Sequence, residues 1–274
     1  MAFILSPLSH KMGRTALVLG AGFVGKRLLD AIVGSGDFSD VVGTRREAQA
    51  VVEEKHGWRC VQFNLEEKHT WQGLPKKVDL CVVTLPLRPL PLVKEFIATY
   101  IAVAQPSTLM VCGSTSCYKG FEPHSDVTED SPLDLDQERV AGEEEARASA
   151  GAVVLQLSGI HGHDRKVENW FKMGRIGGKN RLLNLIHVDD IVDVIMALWR
   201  KGEAWKVKEG IRVNVSDGRK RWIYDMAEAY GVTIDPDQVS ARSSGRASKY
   251  VVNDKLKQLL GDAFVFRDIT YDCE

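Results

Sequence analysis

A glycine-rich turn between two short elements constrains the fold of this chain more than any other feature. An apolar run over residues 15–19 leads into Gly20-Ala21-Gly22-Phe23-Val24-Gly25, and an amphipathic stretch over 26–33 follows. In a strand-turn-helix unit with this spacing, Gly20 makes the tight turn, Gly22 leaves room for a diphosphate and Gly25 lets the helix approach the strand. The turn therefore predicts dinucleotide binding; the alternative is a strand-helix turn without a ligand.

Alternation of strand-like and helix-like patterns extends this unit into a fold class. Six short runs rich in Val, Leu and Ile alternate with helical patterns and lie near residues 15–19, 40–43, 59–63, 78–83, 108–112 and 152–157. Such runs predict a parallel sheet with helices on both faces, the doubly wound Rossmann arrangement. We predict an α/β fold with a Rossmann domain over 13–160 and a smaller substrate lobe over 161–274, interleaved with the Rossmann core. Apolar spacing also predicts helices near 92–101, 188–200 and 223–230.

Charge and hydropathy limit the classes of partner that the chain is expected to bind. The formal net charge is −1 and charged residues make up 27% of the chain, so no overall field favours nucleic acid or an anionic membrane. No apolar run approaches the ~20 residues of a membrane-spanning helix. We expect a small-molecule substrate, no nucleic-acid or membrane partner, and a homodimer as one possibility.

Cysteine usage and the first residues indicate a compartment. The five cysteines show no paired spacing and are predicted to be reduced and mostly buried. Residues 1–7 lack the basic start of a secretory signal. We expect a cytoplasmic protein, and an organelle stroma or matrix after loss of a transit peptide remains open. The serine- and arginine-rich stretch 240–248 is predicted to be a mobile loop.

The end of the second predicted strand indicates which dinucleotide binds. An NAD-selective site usually places an acid there, but the sequence reads Thr44-Arg45-Arg46. Guanidinium groups would bind the 2'-phosphate of NADP, which favours NADP(H); the alternative is a solvated start to the next helix. The predicted cofactor-binding set is Gly20, Gly22, Phe23, Val24, Gly25, Thr44, Arg45, Arg46, Asn64, Leu65, Thr84, Leu85 and Pro86.

Five later motifs occur in the order of a known family. Residues 113–120 (Gly-Ser-Thr-Ser-Cys-Tyr-Lys-Gly) resemble the Ser-Ser-Thr-Ser-Val-Tyr-Gly stretch of extended and atypical short-chain dehydrogenases/reductases. Similar matches occur at residues 127–132, 157–162, 185–191 and 213–217. The chain resembles the atypical, NAD-dependent epimerase/dehydratase-like group of the YeeZ type. This resemblance implies an NAD(P)-binding Rossmann domain, a substrate lobe, and redox or epimerase chemistry on a small carbonyl or hydroxyl compound.

The family's acid-base pair is missing from this chain. Family enzymes pair a serine with Tyr-x-x-x-Lys about 25 residues later; the serine corresponds to Ser114, but Arg139 and Glu143 stand at the tyrosine and lysine positions. Arginine stays protonated near neutral pH and cannot act as a general base. An Arg139–Glu143 ion pair that holds the helix is the preferred interpretation, with a new catalytic role as the alternative.

Substitutes for the missing proton donor come from neighbouring positions. We predict Ser114, Tyr118 and His161 as catalytic candidates, although a lone histidine in such a loop is more often structural. No metal site is predicted, because the histidines near His161 lack trustworthy ligand spacing. The stretch with His187, Asp189 and Asp190 is expected to brace the substrate lobe. A basic set could meet an anionic substrate or be solvated surface: Arg165, Lys166, Arg175, Lys179 and Arg181.

Two functions follow from these observations. The first is an NADP-dependent oxidoreductase or epimerase-like enzyme whose proton donor has moved, supported by the glycine turn and Ser114. The second is a non-catalytic NADP(H)-binding sensor, scaffold or assembly factor, supported by the loss of the tyrosine and lysine.

Overall fold

A computed structural model describes residues 13–47, 57–176, 178–202, 209–234 and 248–269 of the chain. Its strands are β1 Thr15–Leu19, β2 Asp40–Arg45, β3 Arg59–Gln62, β4 Leu80–Val83, β5 Thr108–Ser114, β6 Ser125–Val127, β7 Val153–Leu157, β8 Gly159–His161, β9 Leu185–His187, β10 Ile211–Val215 and β11 Lys249–Val251. Its α-helices are α1 Phe23–Ser35, α2 Leu90–Phe96, α3 Ala102–Ala104, α4 Glu138–Ala150, α5 Val167–Lys172, α6 Val188–Arg200, α7 Ile223–Ala229 and α8 Asp254–Leu260. A π-helical segment, Ile97–Ile101, joins α2 to α3.

A seven-stranded parallel sheet forms the centre of the fold. Its order is β10-β7-β5-β4-β1-β2-β3, with every neighbouring pair parallel. The reversal of strand order at β1 and β4 is the switch point of a doubly wound sheet, where ligands bind outside the carboxyl ends of the strands. The predicted Rossmann-type α/β fold is therefore confirmed.

Alternate residues of β1 show how both faces of the sheet are buried. Ala16 and Val18 pack in a core with residues of α1, α6 and α8, whereas Leu17 and Leu19 pack in a second core with residues of α2 and α4. A strand covered on both faces needs apolar residues at successive positions, as the sequence of β1 predicts. All six predicted runs form strands of this sheet, although β2 extends to Arg45 and β5 to Ser114.

The seventh strand, β10, was not predicted. It pairs with β7 and forms the edge of the sheet, although it lies after residue 160. Its sequence alternates apolar residues with Arg212 and Asn214 and was not distinguished from a loop. Asn214 is fully buried, and its polar atoms are bonded to Tyr118, Glu129 and the carbonyl of Val252. These partners are distant in sequence, so no local pattern shows that the polar residues can be buried.

Two further parallel strand pairs and a small core lie beyond the main sheet. β8 pairs with β9, and β6 pairs with β11. Val167 and Phe171 of α5 share a core with Ile223 and Met226 of α7. The helices predicted over 188–200 and 223–230 correspond to α6 and α7. No helix in the described part of the chain is long and apolar enough to cross a membrane.

Several predictions concern residues outside the described ranges. Residues 240–247 of the predicted mobile loop, residues 1–7 and Cys273 lie outside the described ranges. Within the described residues, none of the other four cysteines forms a disulfide: Cys60, Cys81, Cys112 and Cys117. Burial raises the pKa of the Cys81, Cys112 and Cys117 thiols to about 12, so these three are protonated and unreactive at neutral pH.

Candidate functional site

The glycine turn lies at the carboxyl end of β1, between β2 and β4. Gly20 has a φ of 106°, a left-handed conformation that favours glycine. A Cβ on Gly25 would lie 1.9 Å from the carbonyl oxygen of Gly20, so a side chain there would force the helix away from the turn. A Cβ on Gly22 would meet no atom of the described residues within 4 Å. The turn is therefore closed against protein at Gly25 and open at Gly22, as phosphate binding requires.

Two threonines hold this turn from both sides. The backbone N–H of Gly20 donates to Thr44 Oγ1 at 2.9 Å, and Thr84 Oγ1 donates to the Gly20 carbonyl at 2.6 Å. The sequence placed both threonines in the cofactor-binding set. Thr44 is 1% exposed, so its side chain positions the turn. Sequence reasoning missed this supporting role because residues of three different strand ends meet only in the folded sheet.

The remaining predicted cofactor-binding residues lie at neighbouring strand ends. Arg45 ends β2 and Arg46 follows it, exposed. Asn64 lies after β3 and donates to Glu67 at 2.8 Å, while Leu65 beside it is buried. Leu85 and Pro86 follow β4, half-buried and exposed respectively. All of these positions lie along the carboxyl edge of the sheet where a dinucleotide would bind.

Electrostatics at the start of α1 suit an anion. Gly22 is the N-cap of this 13-residue helix, no side chain caps it, and its first turn contains no acidic residue. The amide groups and the positive end of the helix dipole therefore face the space beside Gly22. The residues present fit the diphosphate of a nicotinamide dinucleotide.

The second part of the site lies at the end of β5, where a chain of polar contacts reaches Ser114. The hydroxyl groups of Ser114 and Ser116 lie 3.1 Å apart, and Nη2 of Arg139 donates to Ser116 Oγ at 3.2 Å. Arg139 also donates to the carboxylate of Glu143, one helical turn later on α4. The ion pair expected from the sequence is therefore present. It connects through Ser116 to the predicted catalytic serine.

Glu143 is enclosed by this arrangement. It is 2% exposed and accepts a second hydrogen bond from Nε2 of Gln156 at 3.0 Å. A Cβ on Gly113 would lie 2.6 Å from Glu143 Oε2 and 2.5 Å from Gln156 Oε1, so the glycine makes room for both side chains. Burial raises the pKa of Glu143, while Arg139 and Gln156 act in the opposite direction. The carboxylate is thus a buried structural group.

Tyr118 contacts the edge strand β10. Its hydroxyl group donates to Asn214 Oδ1 at 2.6 Å, and the side chain is 5% exposed. Burial raises the pKa of Tyr118 well above its usual value. The hydrogen bond joins β10 to the segment after β5, and the catalytic role of Tyr118 stays a prediction.

His161 lies in a group of histidine rings near the start of α6. Its buried ring packs edge to face on His187, with 5.2 Å between the ring centres. His187 caps α6, since its Nδ1 accepts from the backbone N–H of Asp189 at 3.1 Å. His163 Nε2 lies 3.1 Å from both carboxylate oxygens of Asp189. Searched over the described ranges, the chain contains no group of three or more His, Cys, Asp or Glu side chains that could hold a metal ion.

Asp190 joins α6 to the C-terminal segment. Its carboxylate accepts from the backbone N–H of Arg267 at 2.9 Å and from the Arg267 side chain at 2.5 Å. Arg267 also reaches Asp193 at 2.7 Å. These contacts are those of a brace, the role expected for this stretch in preference to catalysis.

Solved structures share this architecture, whereas no family model and no curated protein matches the chain. A conserved protein of unknown function from Silicibacter pomeroyi superposes with a TM-score of 0.71 at 24% identity, over 95% of this chain and 96% of that chain. MoeE5, solved with UDP-glucuronic acid and NAD, has a TM-score of 0.70 at 19% identity, over 93% and 94%. The UDP-glucuronic acid 4-epimerase from Bacillus cereus, solved with NAD, has a TM-score of 0.68 at 14% identity, over 95% and 97%.

At these identities the likeness shows the fold, and it agrees with the family resemblance of the motifs. NAD is bound in the solved complexes of MoeE5 and of the Bacillus cereus epimerase. The chain shares the Rossmann-type α/β fold of these structures.

Proposed function

We propose that this chain binds NADP(H) and is an oxidoreductase or epimerase-like enzyme for a small carbonyl or hydroxyl compound, with an active site that lacks Tyr-x-x-x-Lys. The observation that carries the proposal is the contrast within the glycine turn. Gly25 is closed by the carbonyl oxygen of Gly20, whereas Gly22 is open. A turn that only joined a strand to a helix would need a glycine at position 25 but would have no reason to keep the space beside Gly22 open.

The arginines at the end of β2 support the phosphorylated cofactor. Arg45 and Arg46 stand where NAD-selective sites place a carboxylate. Guanidinium groups bind phosphate oxygens with charge-assisted hydrogen bonds, and a carboxylate would repel them. We therefore propose NADP(H) rather than NAD(H).

Reduction of a carbonyl needs a hydride and a proton. Bound NADPH supplies the hydride. We place Ser114 in contact with the substrate oxygen, because this residue ends β5 at the carboxyl edge of the sheet. Arg139 holds Ser116 by a hydrogen bond, but it cannot release its own proton near neutral pH, and Glu143 offsets its charge. We propose that water supplies the proton through the Ser114 hydroxyl group, which predicts slow turnover.

The second candidate is a non-catalytic NADP(H)-binding protein, and the state of Glu143 favours it. Both of its carboxylate oxygens are used within the protein, one by Arg139 and one by Gln156. A family lysine at this position lowers the pKa of the catalytic tyrosine and holds the ribose, and buried Glu143 can do neither. Such a protein would report or respond to NADPH without consuming it.

The deciding experiment measures binding and turnover on the same preparation. Thermal unfolding with and without NADPH tests binding, because a ligand of the native state raises the unfolding temperature. NADPH oxidation is then followed with a panel of small carbonyl compounds and nucleotide sugars. The enzyme proposal expects slow oxidation that falls at least about tenfold in Ser114→Ala, since removing a transition-state donor commonly costs that much or more.

The control is Ser149→Ala, which removes a hydroxyl group at the far end of α4, where Ser149 donates to Glu145. It should leave oxidation unchanged. Stabilisation by NADPH without oxidation of the cofactor by any compound would instead establish the non-catalytic candidate. No stabilisation by NADPH or NADH would contradict both.

Compartment and assembly stay proposals. The lack of a disulfide among the four described cysteines supports a reducing, cytoplasm-like compartment. The homodimer expected from the family resemblance is tested by the mass of the purified protein in light scattering.

A further inference from the structure

Two guanidinium groups lie against the aromatic ring of the phosphate-binding turn. The Cζ atoms of Arg27 and Arg165 lie 4.2 Å and 4.7 Å from the centre of the Phe23 ring. Phe23 is the first residue of α1 and directly follows Gly22. Two cations from distant parts of the sequence therefore meet beside the proposed diphosphate site, and neither belongs to the glycine motif.

Arg27 is placed by α1 itself. It lies one helical turn after Phe23, and its Nη1 donates to the Phe23 carbonyl at 3.0 Å. Its other terminal nitrogen lies 3.7 Å from the carboxylate of Asp164, a side chain that is 81% exposed. Water screens such an exposed pair, so Asp164 offsets little of the positive charge at the turn.

Arg165 is placed by a tight turn that follows β8. Its backbone N–H donates to the Gly162 carbonyl at 2.9 Å. Gly162 has a φ of 118°, and a Cβ there would lie 2.4 Å from Nε2 of His187. His163 ties the same turn to Asp189 on α6. Several independent contacts thus bring Arg165 to Phe23 before any ligand arrives.

A guanidinium group that lies over an aromatic ring keeps its N–H groups available to acceptors in the guanidinium plane. Its planar fork matches two phosphate oxygens, which a lysine cannot reproduce. The first turn of α1 holds no acidic residue that would compete for these donors.

We propose that Arg165, together with Arg27, binds the diphosphate bridge of the dinucleotide. This inference rests on the proposed cofactor binding and separates two phosphate contacts. Arg45 and Arg46 would recognise the 2'-phosphate, which only NADP(H) carries. Arg27 and Arg165 would recognise the diphosphate, which both cofactors carry, so they contribute affinity without discrimination.

The experiment titrates the full chain with NADPH and with NADH and follows the nicotinamide fluorescence. Arg165→Ala is expected to raise the dissociation constants of both cofactors by a similar factor, roughly tenfold or more for a lost charged hydrogen bond. The matched control is Arg200→Ala, which removes the same charge from an exposed arginine at the C-terminal end of α6, beside Asp37. It should change neither constant by more than about twofold, since screened surface charges act weakly.

A second variant tests the ring as the support of Arg165. In a Phe23→Leu background, Arg165→Ala should cost less than in the wild-type chain, because coupled residues show a non-additive effect. Circular dichroism of each variant confirms that a loss of affinity is not a loss of fold.

Each remaining outcome has a separate meaning. An unaltered affinity in Arg165→Ala, or an equal loss in Arg200→Ala, would overturn the diphosphate contact while the wild-type binding still supports the proposed function. A loss for NADPH alone would move Arg165 to the 2'-phosphate and also overturn it. No binding of either cofactor by the wild-type chain would mean that the proposed function itself is wrong.

Discussion

The glycine turn and the helix α4 serve the same edge of the sheet but are built in opposite ways. The turn depends on the absence of Cβ atoms. A Cβ on Gly20 would strain the left-handed backbone, and a Cβ on Gly25 would strike the carbonyl of Gly20. A Cβ on Gly22 would occupy the proposed diphosphate site. In α4, by contrast, side chains fill the position of the family's acid-base pair. Arg139 and Glu143 bind each other and are held by Ser116 and Gln156.

This difference teaches that binding and chemistry can be separated in one fold. The backbone geometry at Gly20 and Gly25 also sets the packing of β1 against α1, so it cannot be lost without loss of stability. The residues at the acid-base positions are side chains of one helix, α4. Arg139 and Glu143 bond to each other and to their neighbours, so neither is left buried without a hydrogen-bond partner. Their presence at these positions therefore lowers the stability of the fold little.

The largest expected effect distinguishes two glycines three residues apart. Gly25→Ala should destabilise the protein by about 1–3 kcal/mol or more, because the new Cβ strikes a backbone atom that cannot move independently. Gly22→Ala should change stability by less than about 1 kcal/mol, since the position is open and its φ is not left-handed. Thermal and urea unfolding measure both.

The same pair of variants tests the ligand. NADPH should raise the unfolding temperature of the wild-type chain but not of Gly22→Ala, which serves as its own folded control. Full stabilisation of Gly22→Ala by NADPH would show that the dinucleotide does not approach this glycine.

A smaller effect is expected at the end of β2. Replacement of Arg45 and Arg46 by alanine removes charged hydrogen bonds worth about 1.5–3 kcal/mol to a phosphate. The dissociation constant of NADPH should therefore rise at least about tenfold relative to that of NADH, measured by fluorescence titration. Equal losses for the two cofactors would show that these arginines do not contact the 2'-phosphate.

The smallest effect concerns α4 and its pH dependence. Burial raises the pKa of Glu143 above its ordinary value of 4.5, so the folded chain holds this proton more tightly than the unfolded chain. The stabilisation linked to that proton is complete below the unfolded pKa and is lost as pH rises through the folded pKa. Glu143→Gln cannot titrate, so the unfolding free energy of the wild-type chain relative to this variant should fall as pH rises from about 4 to 8.

Gln156 makes this variant structurally tolerable. Its Oε1 is buried without a hydrogen-bond partner, and rotation of its amide would let it accept from the amide group of a glutamine at position 143. Glu138→Gln, on an exposed residue in the first turn of α4, controls for the loss of one carboxylate. A difference that grows with pH would show that attraction to Arg139 outweighs the cost of burial.

Much of the sheet could be predicted from the sequence because the information is local. A continuous apolar run covered on both faces, such as Leu17 to Leu19 in β1, needs no knowledge of its partner strand. The sequence does not predict β10, because Asn214 in this strand is buried and bonds to Tyr118, Glu129 and the carbonyl of Val252, which are distant along the chain. The same reason explains why the sequence does not predict the contact between Tyr118 and Asn214, which lie 96 positions apart.

The local sequence therefore determined the glycine turn, the six predicted strands of the sheet, and the absence of a tyrosine and a lysine from α4. Each of these follows from residue type and spacing along a few turns of chain. Only the tertiary structure decided that Gly22 is open while Gly25 is closed, that Thr44 and Thr84 hold Gly20, and that Arg165 arrives beside Phe23. Those contacts join residues up to about 140 positions apart, and packing of the whole sheet sets their distances.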